Sequence, residues 1–255
     1  MRPPNRPGRP MAELAGALPA PVPLRGPHPG LRPKDAATLI ILDRESEPKV
    51  LMGRRNSGHV FMPGKFVFPG GRVDVGDGRG PASDEFDAQV AAKLMARLRR
   101  GAGPNRARAF ALAAVRETYE EAGLLIGRRT DRPIPPAGPW AAFAERGIAP
   151  ALSAFRFLAR AITPPGRPRR FDARFFVVDD AEIGARLESP AGPSGEFDAT
   201  AWLTLSEALA LELPRITRIV LEELKARLES SGGLDPGAPV PFYFMRHGRF
   251  VRETI

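Results

Sequence analysis

The apolar positions of this 255-residue chain change period several times. "AATLIILD" (36–43) is a nearly unbroken apolar run, and "KVLMGRR" (49–55) follows it after a turn at 45–48. Runs of this length bounded by turn residues predict buried strands. "KFVF" (65–68) predicts a short strand that runs into a Pro69-Gly70-Gly71 turn. "LLIG" (124–127), "FRFLARAIT" (155–163), "RRFDARFFVVD" (169–179) and "ATAWLTL" (199–205) predict four more strands. Helical spacing replaces these runs at four places. Phe86, Val90, Leu94 and Leu98 recur every fourth residue and predict an amphipathic helix over 85–99, capped by Ser83-Asp84. A second helix is predicted over 106–122, ended by Gly123 where a left-handed cap is favoured. A short helix is predicted at 139–147, and a longer one at 214–230 with Ile216, Ile219, Val220 and Leu224 on one side. "VPFYFMRHGRFV" (240–251) predicts a closing hairpin or an extended tail. The alternation of strands and helices predicts an α/β fold.

Composition adds limits. Residues 1–33 carry a proline every few positions and no periodicity, which predicts a disordered tail. The expected organisation is that tail, a domain over 34–230, and a C-terminal tail or hairpin over 231–255. With no cysteine, the chain has no disulfide framework, thiol nucleophile or Cys-based zinc site. No apolar stretch reaches the length of a membrane span, so no membrane partner is expected, and a bacterial cytoplasm is the simplest location. The net charge is +9, but five arginines against Glu13 place +4 of it in residues 1–33. The body is mildly basic, and nucleic acid is not the expected partner.

The helix at 106–122 changes the picture. At 100° per residue Glu117, Glu120 and Glu121 share one face, while Ala111, Leu112, Val115, Tyr119 and Ala122 lie on the other side. Like charges at this spacing destabilise a helix, so the cluster calls for a counter-charge. Arg116, four residues before Glu120, supplies part of it. A hard divalent cation such as Mg²⁺ or Mn²⁺ would supply more, because it favours several carboxylate oxygens plus water. A solvated acidic face is the plainer alternative.

Two phrases, "GRVDVGD" (71–77) and "RETYEEAGL" (116–124), together resemble the two halves of the Nudix box, G-x5-E-x7-R-E-U-x-E-E-x-G-U with U apolar. Gly71 opens it, and Arg116, Glu117, Glu120, Glu121, Gly123 and Leu124 match the second half. Two positions depart from it: Asp77 stands where the family has its first glutamate, and Thr118 fills an apolar position. Residues 78–115 separate the halves, 38 where the family has seven, so about 31 are inserted. A closed excursion there is cheap, since loop closure costs only about 0.6 kcal/mol per doubling of length. This split box, with "RRFDARFF" and "GKFVFPGGRVD", is similar to the Nudix branch of the mammalian peroxisomal coenzyme A diphosphatase and its bacterial relatives.

The resemblance implies a Nudix fold, a mixed sheet sandwiched between α-helices, with the 106–122 helix on one face and the 214–230 helix on the other. It implies metal-dependent hydrolysis of a nucleoside diphosphate linked to another moiety, with coenzyme A or acyl-CoA the favoured small-molecule substrate. Glu120 and Glu121 would ligate Mg²⁺ or Mn²⁺, Glu117 would be a further ligand or orienting base, and the Gly70 carbonyl a backbone ligand. Arg116 would hold the carboxylates, and Asp77 would support them. Glu196, six residues before Trp202, is the candidate for a metal ligand or general base. Arg54, Arg55, Arg72 and Gly71 are candidates for substrate contact, and "RPRR" (167–170) for closing over a polyphosphate; His59 and His247 are not expected to be ligands. The insertion, 78–105, would pack on its own domain, form a homodimer surface, or act as a lid. A second class, a catalytically silent Nudix-like nucleotide-binding module, stays open, although such modules tend to lose the glutamates that this chain keeps.

Overall fold

The structure is a computed structural model that describes residues 30–56, 58, 64–98, 102–188 and 192–255. Most of the tail predicted over 1–33, and His59 with most of its loop, lie outside the described residues. The strands are β1 (Lys34–Asp43), β2 (Lys49–Arg55), β3 (Phe66–Val67), β4 (Gly70–Arg72), β5 (Leu124–Ile126), β6 (Arg128–Arg129), β7 (Ile148–Ala149), β8 (Arg156–Ile162), β9 (Phe171–Asp179), β10 (Ile183–Arg186), β11 (Phe197–Thr204), β12 (Pro241–Arg246) and β13 (Arg249–Thr254). The α-helices are α1 (Ala88–Met95), α2 (Pro104–Ala122), α3 (Ala141–Arg146), α4 (Leu205–Ala210) and α5 (Arg215–Glu229).

One mixed sheet organises the chain, in the order β11-β2-β1-β9-β8-β12-β13, with β3 on β2 and β4 on β1. β1 lies parallel to β9 from Lys34↔Phe171 to Leu42↔Asp179, and antiparallel to β2 and β4. Strand residues alternate between faces, so β1 serves two cores. Ala37, Leu39 and Ile41 pack with Phe110, Leu112 and Val115 of α2. Ile40 and Leu42 pack with Val220, Leu221 and Leu224 of α5. The sheet is therefore sandwiched between α2 and α5, which makes β1 apolar on both sides and explains its unbroken run. Among the described residues no helix is long and apolar enough to cross a membrane.

Three local expectations are corrected. Pro69-Gly70-Gly71 does not end the strand as a turn: Gly70 and Gly71 open β4, paired with Thr38 and Ala37. Gly70 has φ +155°, and a Cβ there would sit 2.5 Å from the Ala37 carbonyl oxygen, so glycine is needed for the close approach. The insertion helix is shorter than 85–99. Asp87 caps it by accepting from the Gln89 N–H at 2.8 Å, and the chain leaves the helix at Ala96. The expected cap at Ser83-Asp84 is used elsewhere, because Asp84 accepts from the Ser153 N–H at 3.0 Å. Its apolar stripe faces inward: Val90 and Leu94 are buried, Phe86 stacks on Phe176 with centroids 6.4 Å apart, and Leu98 packs on the same core.

The segment 240–251 forms a hairpin, with β12 parallel to β8 at Phe242↔Arg160 and Tyr243↔Ala161, and β13 at the sheet edge. His247 (φ +50°) and Gly248 (φ +74°) make its two-residue turn, the double positive φ that suits tight hairpins.

Candidate active site

The acidic face of α2 comes from local rules. Pro104 opens the helix at its first turn, and Gly123 closes it at φ +66°, donating its N–H to Tyr119 O at 2.9 Å. Thr118, at the position where an apolar residue was expected, is fully buried. Its hydroxyl donates back to Ala114 O at 2.7 Å, which satisfies the polar atom inside the core.

Arg116 joins the two halves of the signature. Its Nε and Nη2 donate to Asp77 Oδ1 and Oδ2 at 3.0 and 3.2 Å, and Nη2 also donates to the Arg72 carbonyl at 2.8 Å. Its Nη1 donates to Glu117 Oε1 at 2.9 Å and Glu120 Oε2 at 3.1 Å. Asp77 is only 3% exposed and also accepts from the Asp74 N–H at 2.7 Å. The shorter aspartate therefore reaches the arginine from the first half of the box. These partners raise the Arg116 pKa against the desolvation that would lower it.

Glu121 is 2% exposed and accepts from the Gly70 N–H at 2.8 Å, with the Arg55 guanidinium 3.8 Å away. Arg55 in turn donates to Glu196 at 2.8 Å. The carboxyl of Glu117 packs over Gly71, where a Cβ would lie 2.4 Å from it. Burial pushes the Glu121 carboxyl well above the usual range, with Glu117 and Glu196 adding repulsion to the pull of Gly70 and Arg55. Burial also raises Glu117, against Arg116 and with help from Glu120 and Glu196.

The loop before Glu196 hangs on the end of α2. Leu187, Gly192 and Ser194 donate their N–H groups to the carbonyls of Gly123, Glu121 and Glu120 at 2.8, 3.1 and 2.8 Å. These bonds satisfy carbonyls that a helix end leaves without intrahelical partners. Gly192 can carry no side chain there, since a Cβ would lie 2.3 Å from Glu120 O.

A cleft of about 1490 Å³ opens beside this cluster on the α5 side of the sheet. Arg55, Gly70, Gly71, Arg72, Glu117, Glu121 and Glu196 line one end. Glu120 stays beside the cleft on Arg116, and Arg54 points elsewhere, to Asp198 at 2.8 Å. Adjacent strand residues face opposite ways, so Arg54 and Arg55 cannot both serve the cleft. Of the "RPRR" segment, Arg167 and Arg169 line it, while Arg170 donates to Thr163 O and Leu31 O. The far wall was not foreseen: Ile216 and Ile219 of α5, with Tyr243, Met245 and Phe250 of the hairpin. The alternation in "FYFMR" was the available signal, since it sends Tyr243 and Met245 to one face.

Among the described residues no His, Cys, Asp and Glu are drawn together as a ready-made metal cage. The donor chemistry nevertheless fits a hard divalent cation. Five carboxylates, those of Asp77, Glu117, Glu120, Glu121 and Glu196, share the guanidiniums of Arg116 and Arg55. Ionising the buried Glu121 beside Glu117 and Glu196 calls for more positive charge than these supply.

No family profile matches the chain, and no curated protein matches it at significance. Solved structures do. A Nudix hydrolase from Alicyclobacillus acidocaldarius is 29% identical with a TM-score of 0.57, over 76% of this chain and 91% of that one. The Nudix domain of Shewanella oneidensis NrtR, solved with ADP ribose, is 12% identical with a TM-score of 0.43, over 78% and 90%. The fold is the Nudix fold, and with the carboxylate helix in place it defines a Nudix pyrophosphohydrolase. The reaction class this supports is the hydrolysis of nucleoside diphosphate derivatives.

Proposed function

We propose that the chain hydrolyses the diphosphate of coenzyme A or an acyl-CoA with Mg²⁺ or Mn²⁺ bound at the carboxylate end of the cleft. The observation that carries this reading is the cleft itself. One end gathers Glu117, Glu121 and Glu196; the wall beyond is apolar and flanked by Arg167, Arg169 and Arg249. A ligand that fills about 1490 Å³ is larger than a drug-sized molecule, whose pockets run to roughly 1,000 Å³. Coenzyme A matches this shape, with a diphosphate at its centre, a further phosphate for an arginine, and an aliphatic arm. The split signature, similar to that of the coenzyme A diphosphatase branch, points the same way.

Glu120, Glu121, Glu117 and the Gly70 carbonyl would hold the cation, which when bound offsets phosphate charge and acidifies water. Arg116 keeps Glu117 and Glu120 oriented. Glu196, held by Arg55 at the cleft wall, accepts the proton of the attacking water. Arg72 steadies the diphosphate from the rim.

The test is incubation of the protein with Mg²⁺ or Mn²⁺ and a panel of CoA, acetyl-CoA, NADH, ADP-ribose and nucleotide sugars, with Glu120→Gln alongside. Release of 3′,5′-ADP and a phosphopantetheine fragment, lost in the variant, is the expected result. Turnover of another diphosphate alone would overturn the substrate. Binding without turnover of any member would favour the silent module.

A further inference from the structure

The 78–105 insertion and the C-terminal hairpin are far apart in sequence, yet they meet. Lys93 of α1 donates its ammonium to the carbonyls of Pro236 and Ala238, each at 2.7 Å. Gln89 lies so close to Gly237 that a Cβ there would sit 2.6 Å from its Oε1. Arg97, just past α1, donates to Glu253 of β13 at 2.5 Å and lies over the Phe242 ring of β12, 5.7 Å from its centroid. Arg97 holds φ +60°, a left-handed backbone that a residue with a side chain rarely adopts.

The hairpin is a two-faced plate. Phe242 and Glu253 turn to the insertion, while Tyr243, Met245, Phe250 and Arg252 line the cleft. Its ladder to β8 comprises two residue pairs, Phe242↔Arg160 and Tyr243↔Ala161. On the cleft side Glu223 of α5 accepts from Arg252 at 2.9 Å and from the Tyr243 hydroxyl. A plate held by so short a ladder depends on the elements packed on its two faces.

We infer that the insertion is a brace for substrate selection: Lys93 and Arg97 are positioning residues that fix the hairpin as the far wall of the cleft. The insertion then sets affinity for the part of the substrate remote from the diphosphate, and leaves the carboxylate chemistry alone. This rests on the cleft being the substrate site. Neither Lys93 nor Arg97 touches the carboxylate cluster; their bonds run to 236–238 and Glu253.

Lys93→Met and Arg97→Gly test the brace, the second also relieving the left-handed backbone so that misfolding is not the expected outcome. Hydrogen exchange of the backbone amides is measured first. Exchange across 241–254 is expected to rise in both variants while α2 stays protected; unchanged exchange in the hairpin overturns the inference. Kinetics follow with CoA and two truncated diphosphates, one lacking the nucleoside and one lacking the pantetheine arm. Loss of a charge-assisted hydrogen bond is expected to raise KM for CoA about tenfold with kcat nearly unchanged. The truncated compound that no longer reaches the hairpin should show no change. Equal losses on all three, or an unchanged KM for CoA, overturn it. If wild-type protein leaves CoA intact, the substrate reading fails by itself, and hydrogen exchange still decides the brace.

Discussion

Replacing Arg116 by methionine removes five hydrogen bonds, but the loss at Asp77 dominates. That carboxylate is 3% exposed and would keep a single neutral donor, the Asp74 N–H at 2.7 Å. Stranding one member of a buried ion pair costs about 3–5 kcal/mol. For a chain of this size each kcal/mol shifts Tm by about 2–4 °C, so Arg116→Met should lower Tm by roughly 6–20 °C. Asp77→Asn is milder, about 1–3 kcal/mol, because Arg116 keeps Glu117, Glu120 and the Arg72 carbonyl. The double variant no longer strands a charge and should cost less than the sum, with a coupling of about 1.5–3 kcal/mol. Arg116→Lys should fall between, since an ammonium keeps the charge and loses the fork. Thermal unfolding of the metal-free proteins at neutral pH provides the four values. Additivity within about 0.5 kcal/mol would refute the claim that this pair clasps the two halves together.

Gly71→Ala places a methyl against the Glu117 carboxyl, so kcat should fall tenfold or more, on the order of a ligand-shell defect, while Tm stays nearly constant. Steady-state kinetics beside calorimetry read this, and an equal loss of stability would count against it. The pKa of Glu121 is raised by burial, so its contribution to stability is full below the unfolded carboxylate range and is lost as pH climbs through the folded value. Glu121→Gln should therefore stabilise the metal-free protein more at pH 8 than at pH 4, as shown by Tm against pH; a difference that does not grow with pH rejects this. Gly123→Ala forces a Cβ into a left-handed cap, 3.3 Å from the Leu187 Cβ, and should cost about 1 kcal/mol in urea unfolding.

Much of this arrangement is legible in the sequence. β2 falls on the predicted 49–55, because a short apolar run bounded by turn residues leaves little freedom for its ends. Gly123 announces the end of α2 because few other residues accept its backbone. The carboxylate face follows from helical spacing alone. Side-chain allegiance is less legible. Arg54 and Arg55 are equivalent as letters, and only the pleat of β2 sends one to Asp198 and the other to Glu196. Asp84 and Asp87 are equally good caps by type, and tertiary contact with Ser153 decides between them. The far wall of the cleft was hidden because it joins α5 to a hairpin whose place in the sheet is set by pairing with β8, a long-range contact that no local pattern encodes.

The bonds from Leu187, Gly192 and Ser194 to the last carbonyls of α2 have a consequence for motion. They tether the Glu196 loop to the helix that carries Glu117, Glu120 and Glu121. All four carboxylates are thus tied together, and because Glu196 O also accepts from the Asn56 N–H at 2.9 Å, the end of the helix and the edge of the sheet hold one another in register. The opposite bank is held differently: the insertion braces the C-terminal hairpin, while the 163–170 connection, which carries Arg167 and Arg169, is reached by neither the α2 tether nor that brace. The chemical half of the cleft is thus an anvil of fixed shape, against which the rest of the substrate is set.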